Sequence, residues 1–219
     1  MEKLEKDGNG LNLTWEVRQG IVCHSKPRGD FLDPGLAGSL TLEGQILRVA
    51  DAVAYLNHDI ADAIRAGILR IEDLPQEVND TLGASHSQRI DALVTDVVDA
   101  SWDASGEGAP FTEEPPTITM NPPVRRAANL LREFMFQEVY LPLGKTEEAE
   151  VAKEIIRVLF QRFVKHPDQI PPAYFRHEEN ENQAAVDYLS GMTDHYAIRQ
   201  AEALQPGISR GVFARVPLV

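Results

Sequence analysis

A chain of 219 residues, 43% hydrophobic and 25% charged, has the composition of an ordinary soluble globular protein and is long enough for one large core or two small ones. Its formal net charge of −13 argues against a broad nucleic-acid surface, because such surfaces neutralise phosphates with Lys and Arg. No apolar run reaches the roughly 20 residues of a membrane span, no signal peptide is visible, and a single cysteine excludes an internal disulfide, so we expect a cytoplasmic protein without a membrane partner.

The apolar spacing predicts helices almost throughout, and therefore an all-α fold. The first helix is expected from about residue 13 to residue 24, and a long helix from about residue 41 to residue 69. A further amphipathic helix covers residues 90–98 and is opened by Ser85 or Ser87. Residues 103–123 are rich in Gly and Pro, which predicts an exposed connection. Helices are then expected at 124–140, 146–165 and 182–204.

The long helix has two different faces. Its apolar residues recur at steps of three and four and predict a core stripe: Leu42, Ile46, Val49, Val53, Leu56, Ile60 and Ile64. Roughly opposite, along about 15 Å, lie polar side chains: Asp51, Tyr55, His58, Asp59 and Asp62. Such a face is typical of a solvated surface helix, and it also has the chemistry of a ligand site. The pattern alone leaves both interpretations open.

Three segments resemble one protein family. "LRVADAVAYLNHDIADAIRAGIL", residues 47–69, resembles the last metal-binding segment of the dGTPase-like deoxynucleoside triphosphate triphosphohydrolases of the HD superfamily. "GLNLTWEVRQGIVCHS", residues 10–25, looks like the family helix that follows the catalytic core. "VDYLSGMTDHYAI", residues 186–198, looks like the family's C-terminal Gly-Met-Thr-Asp helix, with His195 in place of the expected Arg.

The resemblance implies a multi-helix, HD-domain-like bundle of which this chain is the C-terminal part. On that basis residues 1–102 are expected to form the C-terminal part of the helical core. Residues 103–123 are expected to form an exposed linker, residues 124–204 a C-terminal helical region, and residues 205–219 a loosely ordered tail. The resemblance also implies a homo-oligomer.

The same resemblance implies three site residues. Asp51 would bind a divalent metal such as Mg²⁺, Mn²⁺ or another transition ion. Tyr55 would lie beside the deoxyribose, where it leaves no room for a ribose 2′-hydroxyl, and Asp59 would accept a hydrogen bond from the 3′-hydroxyl. The implied reaction converts a deoxynucleoside triphosphate and water into deoxynucleoside and triphosphate. Thr193 and Asp194 are weaker candidates.

The other metal ligands of the family pattern, a first His and a His-Asp doublet, have no counterpart in this sequence. We therefore expect this chain to be inactive alone and to require an N-terminal HD half as a partner. The alternative is a non-catalytic helical scaffold or a nucleotide-responsive subunit of the same family. Lys26, Arg28, Arg65 and Arg70 are the basic residues nearest the matching segments, and surface ion pairing is the expected role of each.

A rival metal site can be written from residues that are present. His24, the pair His58-Asp59, and Asp91 or Asp96 reproduce the order His, His-Asp, Asp. In a chain with six His and 34 acidic residues this order arises easily by chance. His24 is also in register with apolar residues near a helix end, which favours a packing or capping role.

Overall fold

The structure is a computed structural model, and it describes residues 5–25, 29–30, 32, 40–107, 116–175 and 181–211. All regular elements in these ranges are helices, which confirms the predicted all-α class. None of them is long and apolar enough to cross a membrane. The chain divides into two compact units, Leu13–Leu141 and Met1–Asn12 with Pro142–Val219, and each is described by itself.

Among its described residues, the unit Leu13–Leu141 begins with the helices α1 (Trp15–Cys23) and α2 (Leu42–Arg65). Thr14 and Thr41 cap them, since each hydroxyl accepts a backbone N–H from the first turn. The helices cross at two glycines: a Cβ built on Gly20 would lie 3.7 Å from the Cα of Gly44. Larger residues at this crossing would push the two backbones apart.

The predicted end of α2 near residue 69 is wrong, because the helix stops at Arg65. Gly67 has φ +72°, a left-handed conformation that ends a helix. Its N–H donates to the Ile64 carbonyl, and the Ile68 N–H donates to the Ala63 carbonyl. These two bonds form a Schellman C-cap, which satisfies carbonyls that the helix leaves open.

Most of the predicted apolar stripe of α2 lies in the core. Four of the seven predicted residues are buried in the core cluster: Val49, Val53, Leu56 and Ile60. Ala63, which was not predicted, is buried with them, and Leu42 is half-buried. Ile64 packs against this cluster from its edge. Ile46 was predicted to be buried and is instead 49% exposed. It precedes Val49, the first α2 residue of the core cluster, and therefore lies beyond the edge of that cluster.

After a 3-10 turn (Ile71–Asp73), two α-helices follow α2. The shorter, α3 (Gln76–Leu82), was not predicted, because seven residues with only two buried apolar positions give too short a pattern. The longer, α4 (His86–Ala100), is capped by Ser85, the first of the two predicted openings, and not by Ser87. Ser85 and Gln88 exchange side-chain and backbone hydrogen bonds in a capping box.

The unit closes with α5 (Pro122–Met135), which continues as a π-helical turn (Phe136–Tyr140). A short turn (Leu141–Leu143) follows at the boundary between the units. Residues 108–115 of the predicted linker lie outside the described residues. Its later part packs against the unit: the Ile118 N–H donates to Gln45 Oε1 at 2.9 Å, and Met120 is 4% exposed.

The second unit contains α6 (Glu147–Lys165), α7 (Glu181–Ser190) and α8 (Asp194–Leu204). The single helix predicted for 182–204 is wrong, because the chain breaks after Ser190. Thr193 caps the new helix, accepting the Tyr196 N–H at 3.3 Å. The buried residues form a separate core: Val151, Ile155, Leu159, Phe163, Ile170, Ala184, Ala185, Ala201 and Ile208.

A buried polar pair fastens α4 to α2. Arg89 is 1% exposed, and its Nε donates to Asn57 Oδ1 at 3.3 Å while Nη1 donates to the Ala84 carbonyl at 3.0 Å. Asn57, also fully buried, donates from Nδ2 to the Val53 carbonyl at 2.8 Å. Burial lowers the pKa of the Arg89 guanidinium. The pair therefore fixes which face of α2 meets α4.

The substitution Asn57→Ala tests this role. It leaves Nε of a buried guanidinium without its acceptor, and we expect the free energy of unfolding to fall by about 2–4 kcal/mol. Urea denaturation followed by circular dichroism measures the change. Asp62→Ala on the same helix removes only an exposed ion pair with Arg65 and is expected to cost less than about 0.5 kcal/mol. Equal losses in the two variants would contradict the assigned role.

Candidate functional site

The side of α2 turned away from the core presents the three predicted site residues. Asp51 and Tyr55 are exposed, Tyr55 to 59%, and Asp59 is half-buried. Steps of four residues place them along one face at intervals of about 6 Å. The three side chains therefore share one open surface of the helix and are not covered by the core.

A second tyrosine joins this face from α5. The hydroxyl of Tyr140 donates to Asp59 Oδ2 at 2.7 Å. The rings of Tyr55 and Tyr140 lie 6.1 Å apart between centroids, inclined by 45°. Tyr55, Asp59 and Tyr140 thus form one cluster, which we call the tyrosine-carboxylate cluster.

Both phenols of this cluster are held in the protonated form. Burial is the largest cause that raises the pKa of Tyr140, and acceptance of its hydrogen bond by Asp59 adds to it. Partial burial also raises the pKa of Tyr55, followed by the negative charge of Asp59, with a smaller effect of Asp51. Asp51 is therefore close enough to Tyr55 for its charge to be felt.

The π-helical turn at Phe136–Tyr140 brings Tyr140 to this position. A π turn contains one residue more than an α turn, so the residues after it are rotated by about 100° around the helix axis. Phe136 lies edge-on to the Tyr140 ring at 5.2 Å and supports it. Sequence reasoning treated this stretch as core and missed Tyr140, since no local pattern announces a π turn or a partner 81 residues away.

A cavity of about 410 Å³ opens beside the cluster. It lies between α5 and Gly29-Asp30, and its lining is Gly29, Asp30, Asn129, Arg132, Glu133 and Phe136. Arg132 Nη1 donates to the Gly29 carbonyl at 2.7 Å. Burial lowers the pKa of Arg132, and the nearby Tyr140 and Asp30 oppose that change. The cavity thus places a guanidinium within electrostatic reach of Tyr140.

Arg48 is a further residue that sequence reasoning missed. It lies about two helical turns before Tyr55, on the same side of α2 as Asp51 and Tyr55. The residue is 5% exposed. Within the described part of the chain, its Nε and Nη1 have no hydrogen-bond acceptor. A buried guanidinium without an acceptor is costly, so this position requires one.

The rival metal site is not assembled. The described residues contain no group of three or more His, Cys, Asp or Glu side chains that could hold a metal ion. His24 Nδ1 contacts the Ile21 carbonyl, and the ring of His58 stacks on His86 with centroids 5.8 Å apart. Asp96 instead accepts hydrogen bonds from the backbone and side chain of Asn121.

The remaining candidates have ordinary structural partners. Arg65 pairs with Asp62 at 2.9 Å and Arg70 with Asp73 at 2.9 Å, all on the surface, as expected. Lys26 and Arg28 lie outside the described residues. Thr193 is the N-cap of α8, with Asp194 in its first turn, which accounts for both without a ligand.

Comparison with known proteins agrees with the resemblance seen in the sequence. Residues 118–203 match the family described as phosphohydrolase-associated domain. The relatives are named deoxyguanosinetriphosphate triphosphohydrolase-like proteins. That of Caldanaerobacter subterraneus is 38% identical over 203 residues, which are 90% of this chain and 53% of the relative. That of Clostridium tetani is 39% identical over 200 residues, 90% of this chain and 55% of the relative.

A third relative, from Clostridium perfringens, is 38% identical over 201 residues, which are 91% of this chain and 56% of that protein. The chain therefore spans about half the length of the curated relatives that it matches. The similarity runs through nearly all of this chain and is not confined to the α2 motif. On this evidence the chain is similar over about nine tenths of its length to deoxyguanosinetriphosphate triphosphohydrolase-like proteins, and its residues 118–203 match the phosphohydrolase-associated domain.

Proposed function

We propose that this chain supplies the sugar-binding side and one metal ligand of a deoxynucleoside triphosphate triphosphohydrolase. The reaction adds water to the α-phosphorus and breaks its bond to the 5′-oxygen. The proton from water ends on the leaving deoxynucleoside, and intact triphosphate is released. The observation that carries the proposal is the order Asp51, Tyr55, Asp59 along one open face of α2, with Tyr140 bonded to Asp59.

Asp59 and Tyr140 are suited to hold a sugar hydroxyl. A carboxylate has two oxygens with several lone pairs, so Asp59 can accept from the Tyr140 phenol and from a 3′-hydroxyl at the same time. The Tyr140 bond fixes the carboxylate in one orientation before the substrate arrives. Preorganisation of this kind removes an ordering cost from binding.

Tyr55 is suited to select deoxyribose. Its ring stands between Asp51 and Asp59 along the helix and is held from one side by Tyr140. A ring fixed in this position can cover the 2′ edge of a sugar whose 3′-hydroxyl is on Asp59. A ribonucleotide would place a hydroxyl against that ring and lose affinity.

Asp51 can hold a divalent ion only as part of a larger set. An exposed carboxylate fits Mg²⁺ or Mn²⁺, which prefer oxygen ligands. The other ligands have to come from residues beyond the described ones, because these contain no three-residue group around Asp51. A bound divalent ion supplies an activated water and neutralises charge on the phosphate. Asp51 would orient that ion at the phosphate end of the row and leave the sugar to Tyr55 and Asp59.

The proposal predicts activity only in a complemented protein. The chain alone should release no triphosphate from dGTP with Mg²⁺ or Mn²⁺, since one carboxylate does not retain a catalytic ion. Combined with the part of the Caldanaerobacter relative that it does not match, it should release triphosphate. Substitution of a residue that only hydrogen-bonds to a metal ligand lowers activity by roughly 10- to 100-fold. Asp51→Asn should lower the rate of triphosphate release by more than this, because Asp51 is itself the proposed ligand.

The matched control for that assay is Asp62→Asn. Asp62 is an exposed acid on the same helix, paired with Arg65, and its substitution should leave the rate unchanged. Triphosphate release by the chain alone, or equal rates in the two variants, would refute the role of Asp51. A complex that forms without any activity would favour the non-catalytic alternative.

The tyrosine-carboxylate cluster can be tested without substrate. Asp59→Asn removes the charge that helps raise the pKa of both phenols, so part of the tyrosinate absorbance should appear at lower pH than in the wild type. Spectrophotometric titration from pH 9 upward, around the ordinary tyrosine pKa of about 10, measures this shift. Asp62→Asn should titrate like the wild type, and a shift of equal size there would contradict the cluster.

The same pKa changes fix the direction of a stability effect. Because folding raises the pKa of Tyr140, the contribution to stability is complete below the ordinary pKa of about 10 and is lost as the pH rises above it. Between pH 8 and pH 11 the free energy of unfolding should therefore fall less in Tyr140→Phe than in the wild type. Urea denaturation at pH 8 and at pH 11 compares the two proteins, and equal losses would contradict the assignment.

A further inference from the structure

Phe136 is an aromatic residue outside the core whose neighbours on the helix lie inside it. Met135 and Val139 are buried in the core cluster of the unit Leu13–Leu141, whereas Phe136 is half-buried and lines the cavity beside the tyrosine-carboxylate cluster. A large apolar side chain normally stabilises a fold by entering the core. Core packing therefore does not explain why a ring is placed here.

Two polar side chains contact the Phe136 ring instead. The Tyr140 ring lies 5.2 Å away between centroids, and the two planes are inclined by 84°, an edge-to-face arrangement. One turn earlier on α5, the Arg132 guanidinium lies over the Phe136 ring, with its Cζ 5.9 Å from the centroid. Both kinds of contact are favourable, because the face of an aromatic ring is negative and its edge is positive. Phe136 thus joins Arg132 to Tyr140.

These contacts continue at both ends into hydrogen bonds. Arg132 Nη1 donates to the Gly29 carbonyl at 2.7 Å, which fixes the guanidinium. The Tyr140 hydroxyl donates to Asp59 Oδ2, also at 2.7 Å. With Phe136 in the middle, a continuous series of contacts runs from the cavity wall to the carboxylate proposed to bind the sugar. A shift of the Phe136 ring would therefore move the Tyr140 phenol.

We propose that Phe136 is a positioning residue, which acts through Tyr140 on the site for the deoxyribose. Its ring holds Tyr140 where the hydroxyl reaches Asp59 and the ring reaches Tyr55. This inference rests on the proposed function, because Phe136 has a role in the reaction only if Asp59 binds the sugar hydroxyl. The contacts themselves exist in the chain alone, so they can be tested without substrate.

A tyrosine titration of the full chain tests the positioning of Tyr140. Burial is the largest cause that raises the pKa of Tyr140, and the hydrogen bond to Asp59 adds to it. Phe136→Leu removes the ring and admits water to the phenol, so part of the tyrosinate absorbance should appear about one pH unit lower. Phe134→Leu is the matched control, because Phe134 packs against the core on the same helix and should titrate like the wild type.

Two further variants separate positioning from a general loosening of the fold. Phe136→Trp keeps an aromatic ring, and its extra volume can enter the cavity, so this variant should titrate like the wild type. In a Tyr140→Phe background, Phe136→Leu should cause no further change, because the affected phenol is absent. Circular dichroism at pH 8 shows whether each variant is folded before its titration.

In the complemented protein, kcat/KM for dGTP provides a second readout. Phe136→Leu should lower it by roughly 10- to 100-fold, since displacing a positioned group by a fraction of its own size has a cost of this order. In the Tyr140→Phe background the same substitution should cost nothing further. A purely structural loss would instead multiply the two effects.

Three titration results would overturn the inference: Phe136→Leu matching the wild type, Phe134→Leu shifting equally, or a shift that persists in the Tyr140→Phe background. Failure of the proposed function has a different signature. A complemented protein without triphosphate release would refute that function, and the titration would still decide whether Phe136 positions Tyr140. Triphosphate release that Phe136→Leu leaves unchanged would refute the positioning role and leave the proposed function standing.

Discussion

The rotation of α2 about its own axis determines the whole candidate site. Burial of Val53, Leu56 and Ile60 fixes that rotation, because turning the helix would bring carboxylates into the core and expose apolar side chains. Each buried aliphatic side chain contributes roughly 1.5–3 kcal/mol. The Asn57–Arg89 pair restricts the alignment of α2 and α4 further, because a hydrogen bond between two buried groups has a required direction. Asp51, Tyr55 and Asp59 face outward as a consequence.

A single helix presents a convex surface and cannot enclose a ligand. The chain segment that follows α5 provides a second side of the candidate site, through Tyr140. Its π-helical turn places Val139 in the core and also brings the Tyr140 hydroxyl to Asp59. Tyr140 in turn supports Tyr55 through a tilted ring contact. Two helices that are distant in sequence are thereby joined at their polar faces as well as in the core. π turns occur frequently at functional sites, and this one positions Tyr140 beside Asp59.

Sequence reasoning located what periodicity and capping residues encode. It placed the start of α2 and its buried stripe from Val49 onward, and it named Ser85 as one of two possible starts of α4. It could not place the exposed Ile46, because burial of an edge position depends on where neighbouring helices end. It also joined α7 and α8, since the apolar period continues across the cap at Thr193. Tyr140 and Arg48 could not be assigned at all, because their significance depends on a long-range contact and on an absent acceptor.

Electrostatics sets a condition on any nucleotide at this face. Asp51 and Asp59 are both acidic, the two phenols beside them stay neutral, and the chain as a whole has a charge of −13. A triphosphate brought to this surface alone would be repelled. In the proposed reaction the divalent ion on Asp51 removes that repulsion, so nucleotide and metal must bind cooperatively. The three residues along α2 then have different tasks. The metal ion at Asp51 neutralises the charge of the phosphates. Tyr55 and Asp59 recognise the uncharged sugar by its shape and by hydrogen bonding.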